Sequence, residues 1–92
     1  MQDGQFPQMR NFEVWSVPVQ TSQQFMGDTN MVDFFNQGTT PVKVNGRILL
    51  PNTGFCMIGW PGEIDRTSYT IAFANNSDSG NALLITMKKY LD

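Results

Sequence analysis

Apolar and polar side chains alternate along most of this chain with a period of two, and clusters of turn residues interrupt the alternation at intervals of about 8 to 12 residues. No stretch of about ten residues or more keeps the 3.6-residue spacing of an amphipathic helix. The pattern predicts an all-β domain. Residues 11–19 (NFEVWSVPV) read as a strand with Trp15, Val17 and Val19 on one face, and Pro18, which has no N–H to donate, places its end at a sheet edge or bulge. Residues 20–29 read as a long polar loop carrying Phe25 and Met26. In residues 30–36, Val32 and Phe34 share one face, while Met31, Asp33 and Phe35 share the other.

Residues 41–73 form the organising middle of the domain. Val42 and Val44 point inward with Lys43 outward, and Asn45-Gly46 then predicts a two-residue hairpin of type I′, which needs positive φ at both central positions. Pro51, Asn52, Thr53 and Gly54 make a second turn. The next strand sets Phe55 and Met57 against Cys56 and Ile58, and residues 60–66 form a loop rooted at Trp60. Tyr69, Ile71 and Phe73 alternate with Ser68, Thr70 and Ala72, which marks one core face and one small polar face. After the loop at residues 75–81, Leu83, Ile85 and Met87 oppose Leu84, Thr86 and Lys88. The expected architecture is a single antiparallel β-sandwich of about seven strands, jelly-roll-like or immunoglobulin-like, spanning residues 11–92. Residues 1–10 are expected to be a polar N-terminal arm, with Phe6 and Met9 as anchors onto a neighbour.

Composition narrows the function. A chain of 92 residues builds one domain. At that size only roughly 60 to 65% of the unfolded surface is buried, so association is one route to added stability. Charged residues are 15% of the chain, below the usual quarter, and the net charge is −2. The surface is therefore mostly neutral and polar, and its copies repel one another weakly. Three lysines and three arginines are scattered without forming a basic stripe, which argues against nucleic-acid binding. The longest apolar runs are far too short for a membrane span, and the N-terminal residues lack the features of a signal peptide, so synthesis in a cytoplasm is expected.

The chemistry is sparse. Histidine is absent, which removes the commonest general base and metal ligand. The single cysteine, Cys56, lies in an apolar strand and reads as a buried, inert thiol. Glu63 and Asp65 are the one close carboxylate pair, and they read as a solvated turn balanced by Arg66 rather than as an acid–base pair or calcium loop. Asp33 reads first as a hydrogen-bond acceptor at a sheet edge or interface, and second as an acid in an apolar pocket. Trp60 reads first as a structural cap on one end of the sandwich, and second as a flat platform for a sugar ring. No catalytic, cofactor or metal residue is assigned. The expected partner-binding residues are Phe6, Met9, Phe25, Met26 and Trp60.

The run PVKVNGRILLPNTGF, followed by WPGEIDRTSYTIAF and a closing NALLITMKKYL, resembles small β-sandwich proteins of bacteriophage particles, of the decoration, spike-base or fibre-associated kind. The likeness spans about residues 39–91 and is carried by turn residues and alternation. It implies a non-enzymatic virion protein, assembled in the host cytoplasm, that forms homo-oligomers and attaches to other virion structural proteins. The rival expectation is a carbohydrate-binding module that takes a glycan on Trp60, with Tyr69 or Trp15 as further platforms.

Overall fold

The predicted alternation becomes eight strands in the computed structural model, which describes residues 12–60 and 62–90. They are β1 (Phe12–Val19), β2 (Gln23–Phe25), β3 (Met31–Asn36), β4 (Val42–Val44), β5 (Arg47–Leu49), β6 (Gly54–Ile58), β7 (Tyr69–Phe73) and β8 (Leu83–Tyr90). No helix occurs among the described residues. The strands form two antiparallel four-stranded sheets, ordered β1-β8-β3-β6 and β2-β7-β4-β5. The pairing is nested. The β4–β5 hairpin is innermost, β3 pairs with β6 outside it, then β2 with β7, and finally β1 with β8.

The eighth strand is β2, in a segment expected to be loop. Gln23 and Gln24 carry little apolar signal, but β7 has an open side there, and pairing with it satisfies backbone groups on both segments. Ser68 adds a hydroxyl bond to Gln24 Oε1 across the pair. The N-terminal arm expected over residues 1–10 lies outside the described residues.

The two sheets face each other over one core. Val19, Val32, Phe34, Leu83, Ile85 and Met87 line it from the first sheet, and Val42, Val44, Leu49, Tyr69, Ile71 and Phe73 from the second. These are the inward positions that the period-2 alternation selects in β3, β4, β7 and β8. Phe34 sits at the centre, fully buried. Within its own sheet it lies between Phe55 and Ile85. Across the core it meets the Tyr69 ring at 4.8 Å and the Phe25 ring edge-on at 6.4 Å. This aromatic cluster joins three different antiparallel pairs, β2–β7, β3–β6 and β3–β8.

Turn chemistry and buried amides close the ends. Asn45 and Gly46 both have positive φ, 50° and 83°, as the hairpin requires, and the Asn45 side chain also accepts the Thr70 N–H at 2.7 Å. In the next turn Asn52, at φ 63°, takes the left-handed position after Pro51, and the Thr53 N–H bonds to the Leu50 carbonyl. Gly54 instead starts β6, where a side chain would drive its Cβ to 2.2 Å from the Phe34 carbonyl oxygen. Asn36 is fully buried and fully used: its Nδ2 donates to the carbonyls of Thr40 and Leu49, and its Oδ1 accepts from the Gly38 N–H. Asn81 plays the same part just before the start of β8, donating to Gln20 and Asn75 and accepting from Thr40 Oγ1. Loops that would otherwise leave carbonyls unpaired are thus fixed from beneath.

Phe34→Ala removes the ring on which both sheets converge and is expected to cost about 3–5 kcal/mol in urea unfolding. Ile48→Ala, on the exposed face of β5, is expected to stay within about 0.5 kcal/mol of the parent.

Candidate functional site

The richest surface chemistry lies where the loop at residues 59–67 meets the connection between β2 and β3. Asn30 is buried beneath the junction, and its Nδ2 donates to the carbonyls of Trp60 (2.8 Å) and Glu63 (2.9 Å). Glu63 Oε1 accepts the Trp60 N–H at 3.0 Å. Thr29 and Asp65 form an antiparallel bridge, and Arg66 reaches Asp28 at 3.5 Å. The Gly62 N–H donates to the Tyr90 hydroxyl at 2.7 Å. Every one of these bonds fixes main chain or loop edge. They leave the Trp60 side chain 79% exposed, on a loop whose backbone is held from three directions.

This placement revises three expectations. Trp60 does not cap the sandwich, because the polar network already closes that end and the ring is left facing outward. Arg66 does not balance Glu63 and Asp65, since it pairs with Asp28 while the two carboxylates accept bonds from Trp60, Thr67 and Tyr69. Cys56 is not buried. It lies in β6, an edge strand, and alternates with the inward Phe55, so its thiol faces outward. Residual burial and the nearby Asp33 carboxylate, opposite it on β3, hold the thiol above its ordinary pKa.

The other expected partner residues are distributed unevenly. Phe25 is half-buried and packs on Phe34, whereas Met26, next in sequence, is 60% exposed. The bridge at Thr29 and the Arg66–Asp28 pair bring the Met26 connection and the Trp60 loop to the same end of the domain. Phe6 and Met9 lie outside the described residues. Sequence reading missed the exposed side chains of β6 itself: Met57 is 47% and Ile58 77% exposed. With Ile64 they border a groove of about 320 Å³ floored in part by Asn30 and Gly59. Its signal was present as apolar residues on both faces of one short strand.

The Asp65–Tyr69 contact is the most perturbed acid–base pair described. Burial pushes the Asp65 carboxyl up, but the Tyr69 hydroxyl and the Thr67 hydrogen bonds outweigh it and hold the group below its ordinary value. Burial, the hydrogen bond to Asp65 and that residue's charge push Tyr69 up to about 12. Both shifts favour one state, phenol donating to carboxylate. The pair ties β7 to the Trp60 loop, and the third group that converges on it, Thr67, donates to Asp65 and further fixes the carboxylate. Among the described residues, no three Cys, Asp or Glu side chains gather in a way that could hold a metal ion.

Compared with known protein families, curated proteins and solved structures, the chain matches none of them.

The pH dependence follows from the shifts. Tyr69 is raised in the folded state, so its stabilisation is complete below the ordinary tyrosine value of 10.0 and is lost as pH rises toward about 12. Asp65 is lowered, so its contribution is present above 3.8 and is lost as pH falls through the folded value. In chemical denaturation across alkaline pH, the parent is expected to lose more stability between about pH 10 and 12 than Tyr69→Phe does. Equal slopes for the two proteins would remove the phenol–carboxylate contact from the account.

Proposed function

We propose that this chain is a non-enzymatic structural protein of a virus particle, of the bacteriophage kind, that assembles with itself and with other virion components. The observation that carries the reading is the run of exposed apolar side chains along β6 and the adjoining loop, Met57, Ile58, Trp60 and Ile64, on a domain whose polar loop groups are spent internally. Exposed apolar surface of this kind marks a contact with another macromolecule. The nested strand pairing supports it too, being that of a jelly roll with eight strands in two sheets, an architecture common among viral capsid subunits and lectins. The low charge lets neutral polar surfaces pack side by side with little repulsion. The bacteriophage setting, with assembly in the host cytoplasm, rests on the resemblance over residues 39–91.

One observation favours a second reading, a carbohydrate-binding module. Trp60 offers an exposed ring on a backbone that its hydrogen bonds hold still, and a preorganised ring loses little freedom on stacking against a sugar. Tyr69 no longer serves as a platform in that reading, because its ring is buried in the core.

Light scattering across a concentration series is expected to give a discrete oligomer above the 10.4 kDa monomer mass, and deletion of residues 1–10 to weaken it. A strict monomer at every concentration that also binds no component of a particle would end the assembly reading. Binding on a glycan array that Trp60→Ala abolishes would put the second reading in its place.

A further inference from the structure

The four sheet edges are not equally protected. β2 and β5, at the edges of the second sheet, are only three residues each. Edges that short offer little to pair with. β1, at one edge of the first sheet, carries the charge of Glu13 and the proline Pro18, and Lys88 and Lys89 lie over its Phe12 and Trp15 rings at 4.3 and 5.8 Å. β6, at the other edge, is longer than β2 and β5, and its sequence, GFCMI, has no charge or proline of its own, although Arg47 lies over its Phe55 ring. β3 is its one strand neighbour among the described residues. Alternate N–H and C=O groups of such a strand point away from the sheet and fit one partner chemistry, another extended backbone.

We propose that the β6 edge is a homodimer interface, in which β6 of a second copy adds antiparallel about a two-fold axis through Cys56. This rests on the assembly reading and names its contact. The two first sheets then merge into one sheet of eight strands, running β1-β8-β3-β6 into the partner's β6 and outward again. Centring on Cys56 uses the whole five-residue strand: Gly54 opposes Ile58, Phe55 opposes Met57, and Cys56 opposes its own copy. An isologous contact of this kind closes on itself, which spares the uncapped edge from open-ended aggregation.

Charge permits the arrangement. Asp33 lies beside Cys56 on β3, Arg47 stacks over the Phe55 ring at 4.5 Å, and Glu63, Asp65 and Arg66 line the groove beside Met57 and Ile58, so each protomer brings charges of both signs to the seam. The two Asp33 carboxylates would be three strand spacings apart, about 14 Å. That exceeds the screening length of about 8 Å at physiological salt. Met57 and Ile58, exposed in the monomer, gain cover from the partner strand.

Directly opposed residues in antiparallel strands have Cα atoms about 4.5–5.5 Å apart, inside the roughly 4.4–6.8 Å range that a disulfide spans. Treatment of the parent protein with diamide at alkaline pH therefore tests the register. Two Cys56 thiols give up two protons and two electrons to diamide, which is reduced to its hydrazine, and one S–S bond forms. The expected product is a covalent dimer whose yield follows the dimer fraction measured by light scattering. Cys56→Lys, which places two ammonium groups face to face, is expected to weaken the dimer by about tenfold or more. Cys56→Ser and Ile48→Lys, the latter on the other sheet, are expected to leave it intact. Circular dichroism of each variant reports retention of the β fold. An oligomer that persists in Cys56→Lys, together with a parent oligomer that gives no cross-link with diamide, would overturn the β6 interface while leaving assembly standing. A parent that is monomeric throughout would overturn both.

Discussion

The Phe34 ring is the point at which the two sheets become one domain. It comes from β3, is flanked in its own sheet by Phe55 and Ile85, and meets Tyr69 and Phe25 from the facing sheet. Its four partners arrive on three strand pairs, β3–β6, β3–β8 and β2–β7, so the ring is fully buried only when all three have formed. A domain this small has little core to spare, and concentrating it on one site makes the fold cooperative. Tyr69 carries the constraint outward, because its ring belongs to the core and its hydroxyl to Asp65, which anchors the loop that bears Trp60.

Rigidity and exposure therefore coexist at one end of the molecule. Asn30, Glu63 and Asp65 spend their polar groups on main chain and neighbouring side chains, and the loop they fix presents an exposed indole. A side chain held out on a rigid backbone loses little entropy when a partner covers it. Glu63 and Asp65, the one close carboxylate pair in the sequence, thus serve to fix the loop.

Edges pose the complementary problem. Two stacked sheets have four open edges, and each is a template for a further strand unless something blunts it. Brevity serves for β2 and β5, and charge with proline serves for β1. The uncharged, apolar β6 is consistent with an edge that is covered by a specific neighbour, which is the property a subunit of a larger assembly needs.

Alternation along the chain sufficed for the all-β class, for the inward positions of β3, β4, β7 and β8, and for the Asn45-Gly46 hairpin, because the strand period and the φ demands of a tight turn are local properties. β2 was illegible: two glutamines and a phenylalanine carry no alternation, and they form a strand only because β7 leaves an open side in space. The nesting of β1 with β8 and β2 with β7 is likewise a matter of distant segments meeting around one core. Hydrophobicity reads Cys56 as buried and Trp60 first as a cap, though also as an exposed partner-binding residue; both are exposed. Strand order makes β6 an edge, so a residue on its outer face has no further strand beside it among the described residues to cover it. The buried Asn30 closes the loop with hydrogen bonds, so Trp60 is not needed as a plug. Residue type determined what each side chain prefers; the tertiary arrangement alone decided which preferences were met, because burial depends on what lies opposite in space.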